Sequence, residues 1–285
     1  TFKILDFADL TVDGTMATGG VVTVMLILKG WNPVAAVAVA FVAGMLAGLI
    51  TGVLHTVLGI PDILAGILTQ LSLYSINLRI MGSKANQAVG VDKYDLLVSQ
   101  RYVRSVSLDN PLPLLVVFTV VLIAVLYWFF GTEKGCSLRA TGANPNMARA
   151  QGINTNANVV LGLMVSNGLV ALSGGLLAQY QKSCDINVGT GMVTIALASL
   201  IIGETLVGKR TMLRRILGVV FGSCLYRFIV AVALRFNVPA AAMKLVSAII
   251  VAVAISMPAI QAHFAFEKRK HAARARRAAA VKEGK

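Results

Sequence analysis

Gly203-Glu204-Thr205-Leu206-Val207-Gly208-Lys209-Arg210 is the stretch that comes closest to a nucleotide-binding loop, G-x-x-x-x-G-K-[ST]. It fails on chemistry. Arg210 stands where a hydroxyl must ligate magnesium, and an apolar run rather than a buried strand precedes it. The sequence contains no HExxH, no GxSxG and no pair of catalytic carboxylates on a polar face. Cys136, Cys184 and Cys224 are scattered without CxxC spacing, which supports neither a disulfide framework nor a metal site. The chain therefore reads as non-catalytic, with no metal or cofactor of its own.

The remaining residues of chemical interest stand in or beside apolar runs, where an ionisable group is costly and usually faces the inside of a bundle. Arg227, in Cys224-Leu225-Tyr226-Arg227-Phe228, lies too deep in its run to snorkel comfortably. Its candidate partners are Asp6, Asp9, Asp13 and Glu204. Arg227 is either a cation that guides a carboxylate along a pathway or one half of a structural ion pair that fixes helix register. Lys244 snorkels or pairs, and His55 and Arg79 sit near run ends as interface residues. Asn167 and Gln70 are explained by interhelical hydrogen bonds, at roughly 0.6 kcal/mol or somewhat more each. Gly44, Gly48 and Gly52, spaced by four, predict close helix packing within the chain or between subunits, while Gly162, Gly168 and Gly175 soften or thin the helix that holds them.

Such residues need a bundle to position them, and the composition supplies one. Of 285 residues 57% are apolar and only 13% charged, with a mean hydropathy of +0.78; soluble domains carry about a quarter charged residues. Runs bounded by charge, Gly and Pro predict eight spans, at about 14–29, 33–57, 61–80, 112–130, 157–180, 188–206, 213–235 and 239–260. The fold class that follows is an all-α polytopic membrane bundle. Its organisation is a membrane domain over 1–263 and a basic tail over 264–285. A net charge of +14 could suggest nucleic acid, but the eight Lys and Arg that sit in that tail against Glu267 and Glu283 are accompanied by no aromatic base-stacking platform. A basic cluster directly after an apolar run instead marks the cytoplasmic side and attracts lipid headgroups.

Short-loop charge gives the orientation. Lys134, Arg139 and Arg149 in 131–156, and Lys209, Arg210, Arg214 and Arg215 in 207–215, are placed on the cytoplasmic side with the tail. The 81–111 segment then faces outward; its Lys84, Lys93, Arg101 and Arg104 are nearly balanced by Asp92, Asp95 and Asp109. Residues 1–13 come out cytoplasmic or re-entrant by parity. The opening at Thr1 without a preceding signal or helix predicts a native N-terminus further upstream, with a cleaved signal as the rival explanation. The approach to the first run and the stretch Asp185-Ile186-Asn187-Val188-Gly189 with Gly191 are alike: an Asp, a polar stretch, a Gly, then small apolar residues. Paired, glycine-interrupted openings of this kind occur in inverted-repeat transporters with broken helices; ordinary loop-to-helix caps give the same pattern.

The segment 135–154 is polar and too long for a turn. Asn144 as cap, Pro145 at the first helical position and Gly152 at the end predict a short helix to about Gln151. Met147, Ala148 and Ile153 give it a small apolar knob suited to docking a partner; the alternative is a solvated linker. Leu138-Arg139-Ala140-Thr141-Gly142-Ala143-Asn144-Pro145, with Ala148 and Gly152-Ile153-Asn154, resembles the coupling segment of ATP-binding cassette importer permeases of the branched-chain amino acid and ribose kind. Leu161-Gly162-Leu163, Ser166-Asn167, Ala171 to Leu176 and Gln179-Tyr180-Gln181 are similar to the following helix of that family, and Leu5 to Gly14 to its early substrate-path segment. The nearest branch accompanies tryptophan- and tyrosine-type binding proteins. Two departures stand out: the family's first span is missing, and Ile202-Gly203-Glu204-Thr205 replaces a glycine-richer turn of leucine-type members.

The resemblance implies a non-enzymatic permease subunit in the bacterial plasma membrane, with its C-terminus in the cytoplasm. Implied partners are a dimer of ATPase subunits that binds the ATP and magnesium, a second permease copy and an external substrate-binding protein. It assigns Arg139, Gly142, Asn144, Pro145, Met147, Ala148 and Gly152 to ATPase coupling, and Asp6, Asp9, Asp13, Asn167, Gln179 and Arg227 to the translocation pathway. The implied substrate is a small amino acid, aromatic by branch, with nucleosides or sugars behind it. The rival functions are an ion-driven secondary transporter, in which Arg227 and the three N-terminal aspartates form a relay, and a scaffold subunit without a pathway.

Overall fold

The computed structural model describes residues 1–90, 96–97, 111–208, 211–235 and the positions 245, 248–249, 251–253 and 256. Its helices are α1 (Thr11–Leu28), α2 (Pro33–Thr56), α3 (Asp62–Ile80), α4 (Pro111–Gly131), α5 (Glu133–Ala143), α6 (Pro145–Ala150), α7 (Thr155–Gln181), α8 (Met192–Val207) and α9 (Met212–Arg235). Six of them, α1, α2, α3, α4, α7 and α9, are long and apolar enough to cross a bilayer. Most of the expected span at 239–260, including Lys244, lies outside the described residues, as do the tail, Lys209, Arg210 and the charged residues from Asp92 to Asp109. The chain divides into two compact units, Thr1–Val193 and Thr194–Lys285.

In the first unit α7 is the central helix. The Gly44, Gly48 and Gly52 stripe of α2 lies against Asn167, Leu163 and Val160 in turn, so α2 and α7 run antiparallel with their backbones in contact. The stripe is thus an interface within the chain, and a Cβ at Gly48 would collide with the Leu163 carbonyl. On another face, Gly19 meets Ala171 and Gly175 meets Thr23, so α1 runs parallel to α7. Gly162, Gly168 and Gly175 do more than thin the helix: they receive Leu5, the Phe41 and Met45 side chains, and the Thr23 hydroxyl. By contrast α4 presents Val116, Val117, Val120, Val121 and Trp128 outward, as a lipid-facing helix must.

The register of α1 has a topological consequence. Thr15, in its second turn, is hydrogen-bonded to Asn167, which lies at the middle of the 27-residue α7. Helix α1 therefore begins at mid-height, and residues 1–10 run as irregular backbone beside the first half of α7. Leu5 and Phe7 are buried there with Leu138 and Leu163. Leu5, Phe7 and Asp9 point inward there, while Phe2, Lys3 and Asp6 are exposed. Of residues 1–13, expected to be cytoplasmic or re-entrant, 1–10 form turns and irregular backbone and the rest open α1.

Two elements depart from expectation. Asn86–Ala88 (β1) pairs antiparallel with Ser183–Asp185 (β2), tying the segment after α3 to the end of α7; neither stretch is long or apolar enough to announce a strand. The expected span at 188–206 is helical only from Met192, because Ile186 to Gly191 form turns, and the 16-residue α8 is shorter than the other candidates. In the second unit α8 and α9 pack antiparallel through small residues, Gly222 on Ser199 and Gly218 on Gly203. Ala198, Tyr226 and Val251 form its core.

Candidate functional site

At the N-terminal end of α7 the polar segment folds as two helices rather than one. Thr132 caps α5 by accepting from Gly135 N–H at 3.3 Å, so residues expected in a loop are helical. Asn144 ends α5 in extended backbone and caps α6, accepting from Met147 N–H at 3.0 Å. Pro145 opens α6, and Gly152 follows it at φ +77°, a conformation glycine adopts without strain. The exposures divide the assigned coupling residues. Ala148 is buried and anchors α6, whereas Met147 is 63% exposed. Arg139 is exposed and donates to the Cys136 sulfur at 3.1 Å. Gly142 faces inward: a Cβ there would strike the Ile4 carbonyl, so packing accounts for the glycine.

The three N-terminal aspartates are not one cluster. Asp9 is buried, accepting from Thr11 N–H at 3.0 Å through one carboxylate oxygen and from Asn167 Nδ2 at 2.7 Å through the other. Asn167 completes its set by accepting from the Thr15 hydroxyl at 2.8 Å and donating to the Leu163 carbonyl at 3.1 Å. Asp13 reaches the start of α8, accepting from Gly191 N–H at 2.9 Å and Val193 N–H at 3.1 Å. A carboxylate there satisfies donors that a helix start leaves open and complements its dipole. Gly189 packs directly on the Asp13 carbonyl, so the two openings that look alike in sequence meet in space. Asp6 lies apart, at φ +54°, in the wall of a cavity beneath α6.

Threonines extend the buried polar set, and sequence reasoning passed over them. The Thr11 and Thr51 hydroxyls lie 2.8 Å apart, Thr51 and Thr69 3.0 Å, and Asn77 Nδ2 donates to the Thr18 hydroxyl at 3.0 Å. These bonds tie α1, α2 and α3 to one another, as the Thr15–Asn167 bond ties α1 to α7. Their signal was Thr11, Thr15 and Thr18 at helical spacing in an apolar run. Gln179 is buried near the other end of α7, and its Oε1 accepts from Leu97 N–H at 2.9 Å. Gln70 lies beside Gly14. His55 bonds the Ile60 carbonyl through Nδ1 at 2.9 Å and packs edge-on against Phe7, as befits a helix-end residue.

Arg227 is exposed on α9, in the second unit. The α8–α9 register puts Glu204 beside Gly218, nine positions along α9 from Arg227, or roughly 13 Å at 1.5 Å per residue. Glu204 is therefore not its partner, and Asp9 and Asp13 are already engaged within the first unit. The three cysteines are free: Cys136 and Cys224 are exposed and Cys184 buried. Among the described residues no group of His, Cys, Asp or Glu could hold a metal ion. The near-miss phosphate loop is helical through Val207, with Gly203 packed on Gly218.

The sequence is similar to those of named permeases. A tyrosine transport system permease protein of Clostridioides difficile (strain R20291) is 37% identical over 251 residues, covering 88% of this chain and 82% of that protein. The D-allose transport system permease protein AlsC of Escherichia coli (strain K12) is 29% identical over 200 residues, 69% of this chain and 59% of that one. The autoinducer 2 import system permease protein LsrC of Yersinia pseudotuberculosis (serotype O:3, strain YPIII) is 30% identical over 214 residues, 74% of this chain and 58% of its own. No solved structure matches. Residues 1–255 match the family described as branched-chain amino acid transport system / permease component. With six long apolar helices among its described residues, this multi-pass membrane chain belongs to that permease family.

Proposed function

We propose that this chain is the membrane-spanning subunit of an ATP-driven importer and that its cargo is an aromatic amino acid handed over by an external binding protein. The observation that carries the reading is α6: a capped helix anchored by buried Ala148, presenting Met147 outward between two helices of the bundle. A dimer of ATP-hydrolysing subunits would seat on it and bind the ATP and magnesium. The substrate class rests on the relative named for tyrosine transport. A sugar-like cargo is the second reading, favoured by the relatives named for D-allose and autoinducer 2.

ATP binding can shift a transporter only if it contacts the inward- and outward-open states differently. Force on α6 passes to α7 through Gln151 to Asn154 and the Arg149–Thr155 bond of 2.9 Å. At mid-height α7 holds the start of α1 through Asn167 and Asp9, and α1 holds the start of α8 through Asp13. In this reading Asp9 and Asn167 position the start of α1, and Asp13 marks the contacts a moving α8 must exchange. Arg227 and Gln179 remain proposed pathway residues. The basic residues beside α5, α6 and the tail are assigned to the cytoplasmic side of a bacterial plasma membrane. The ion-relay alternative needed Asp6, Asp9 and Asp13 together, and their dispersal weighs against it.

The test is co-purification of the tagged permease, followed by ATP hydrolysis in lipid against a panel of amino acids, nucleosides and sugars. A co-purifying ATPase whose turnover rises with aromatic amino acids and binding protein is expected. A chain that comes out alone and transports on an ion gradient would overturn the proposal.

A further inference from the structure

The cavity beneath α6 measures about 540 Å³, within the range of roughly 300–1,000 Å³ usual for small-molecule sites. Charge of both signs lines it. Asp6 comes from the irregular N-terminal segment, Asp62 from the first turn of α3 and Arg149 from α6. One Asp62 oxygen accepts from Ala8 N–H at 3.2 Å, and Arg149 Nε donates to the Thr155 hydroxyl at 2.9 Å. These bonds aim both side chains without joining them. Among the described residues no ion pair closes between Arg149 and either carboxylate. An anionic and a cationic pole thus face one space with a gap between them. Phe7 and His55, edge-on with centroids 5.0 Å apart, give the same space an aromatic wall.

We propose that this cavity binds a free zwitterionic amino acid, its ammonium group on Asp6 and Asp62 and its carboxylate on the Arg149 guanidinium. A guanidinium fork matches a carboxylate in two-point geometry, and charge-assisted bonds are the stronger kind. An aromatic side chain would lie along Phe7 and His55. The site rests on the amino acid reading of the cargo and deepens it: it stands apart from the Asp13–α8 contact, on the side assigned to the cytoplasm. A ligand that bridges Asp62 on α3 and Arg149 on α6 ties the coupling helix to the bundle, so accumulated product slows turnover.

The test measures equilibrium binding of labelled L-tyrosine to the intact permease–ATPase complex in lipid nanodiscs without binding protein. Saturable binding, one per permease chain, is expected. Tyramine, which lacks the carboxylate, and 3-(4-hydroxyphenyl)propionate, which lacks the ammonium, should each bind at least tenfold more weakly. Asp62→Asn, which keeps the acceptor for Ala8, and Arg149→Gln should each weaken tyrosine binding at least tenfold. No saturable binding up to millimolar tyrosine, or equal binding of the two analogues, would overturn the site without depending on any variant. ATP-driven uptake of labelled tyrosine by the same complex in liposomes with binding protein separates the two readings: uptake without this binding sinks the cavity site alone, whereas absent tyrosine uptake sinks the amino acid reading of the cargo on which the site rests. Binding that leaves ATP turnover unchanged would keep the site and overturn its feedback role.

Discussion

Residue by residue, this bundle is organised by single polar groups that each close a specific gap. Asn167 makes three hydrogen bonds at the middle of α7, one of them to the buried carboxylate of Asp9. Asn167→Leu removes them all and leaves buried groups unmet, at a cost on the order of 1–3 kcal/mol; a lowered unfolding temperature in detergent and reduced uptake would show it. Asp13→Ala strips the start of α8 of its cap, a loss of about 1 kcal/mol that Asp13→Asn should restore only in part, since its amide offers one acceptor where the carboxylate meets two N–H groups, and thermal unfolding of the two variants checks the order. At Cys184, in β2, burial pushes the thiol up to about 12, with the Asp185 carboxylate adding to the shift. The thiol therefore stays protonated, hence weakly nucleophilic, throughout pH 7–9. Maleimide should label exposed Cys136 and spare Cys184, and rapid labelling of Cys184 in the folded protein would contradict that placement.

At the scale of elements, the decisive contacts are helices brought together by missing side chains. Gly48→Ala forces a Cβ against the Leu163 carbonyl and should cost about 1–3 kcal/mol by overpacking, visible as lower yield and thermal stability; an unchanged variant would mean that α2 does not ride on α7. Much of this level was legible in the sequence. The four-residue glycine spacing announced close packing, and Asn144, Pro145 and Gly152 marked both ends of α6, because caps and special backbone angles are written locally. Six of the eight expected spans followed from apolar runs for the same reason. What escaped needed tertiary partners. The ladder of β1 with β2 depends on segments nearly a hundred residues apart, α5 is a polar helix without an apolar stripe, and Asp13 caps a helix that begins 179 positions later. The threonine network was hidden because a hydroxyl in an apolar run can also bond its own helix, as Thr15 does with the Thr11 carbonyl.

At the scale of the whole molecule, the first unit joins α6 to the start of α1 through a central α7, the irregular segment before α1 and the polar ties between them. The basic tail acts at this scale too. Removing residues 264–285 should lower membrane yield or disturb orientation more than it lowers transport per inserted molecule, as protease accessibility and quantified uptake can show. The central claim is that ATP hydrolysis on a partner drives transport through α6. Its most direct test is ATP-driven uptake of labelled tyrosine into liposomes holding permease and ATPase, with binding protein present, for the native chain and for Met147→Glu. Met147→Leu serves as the control, because it keeps an apolar side chain of similar size at the exposed position. The account predicts uptake by the native chain and the control, and at least a tenfold loss in Met147→Glu with insertion intact. Undiminished uptake by Met147→Glu, or uptake that follows an ion gradient without ATP, would contradict it.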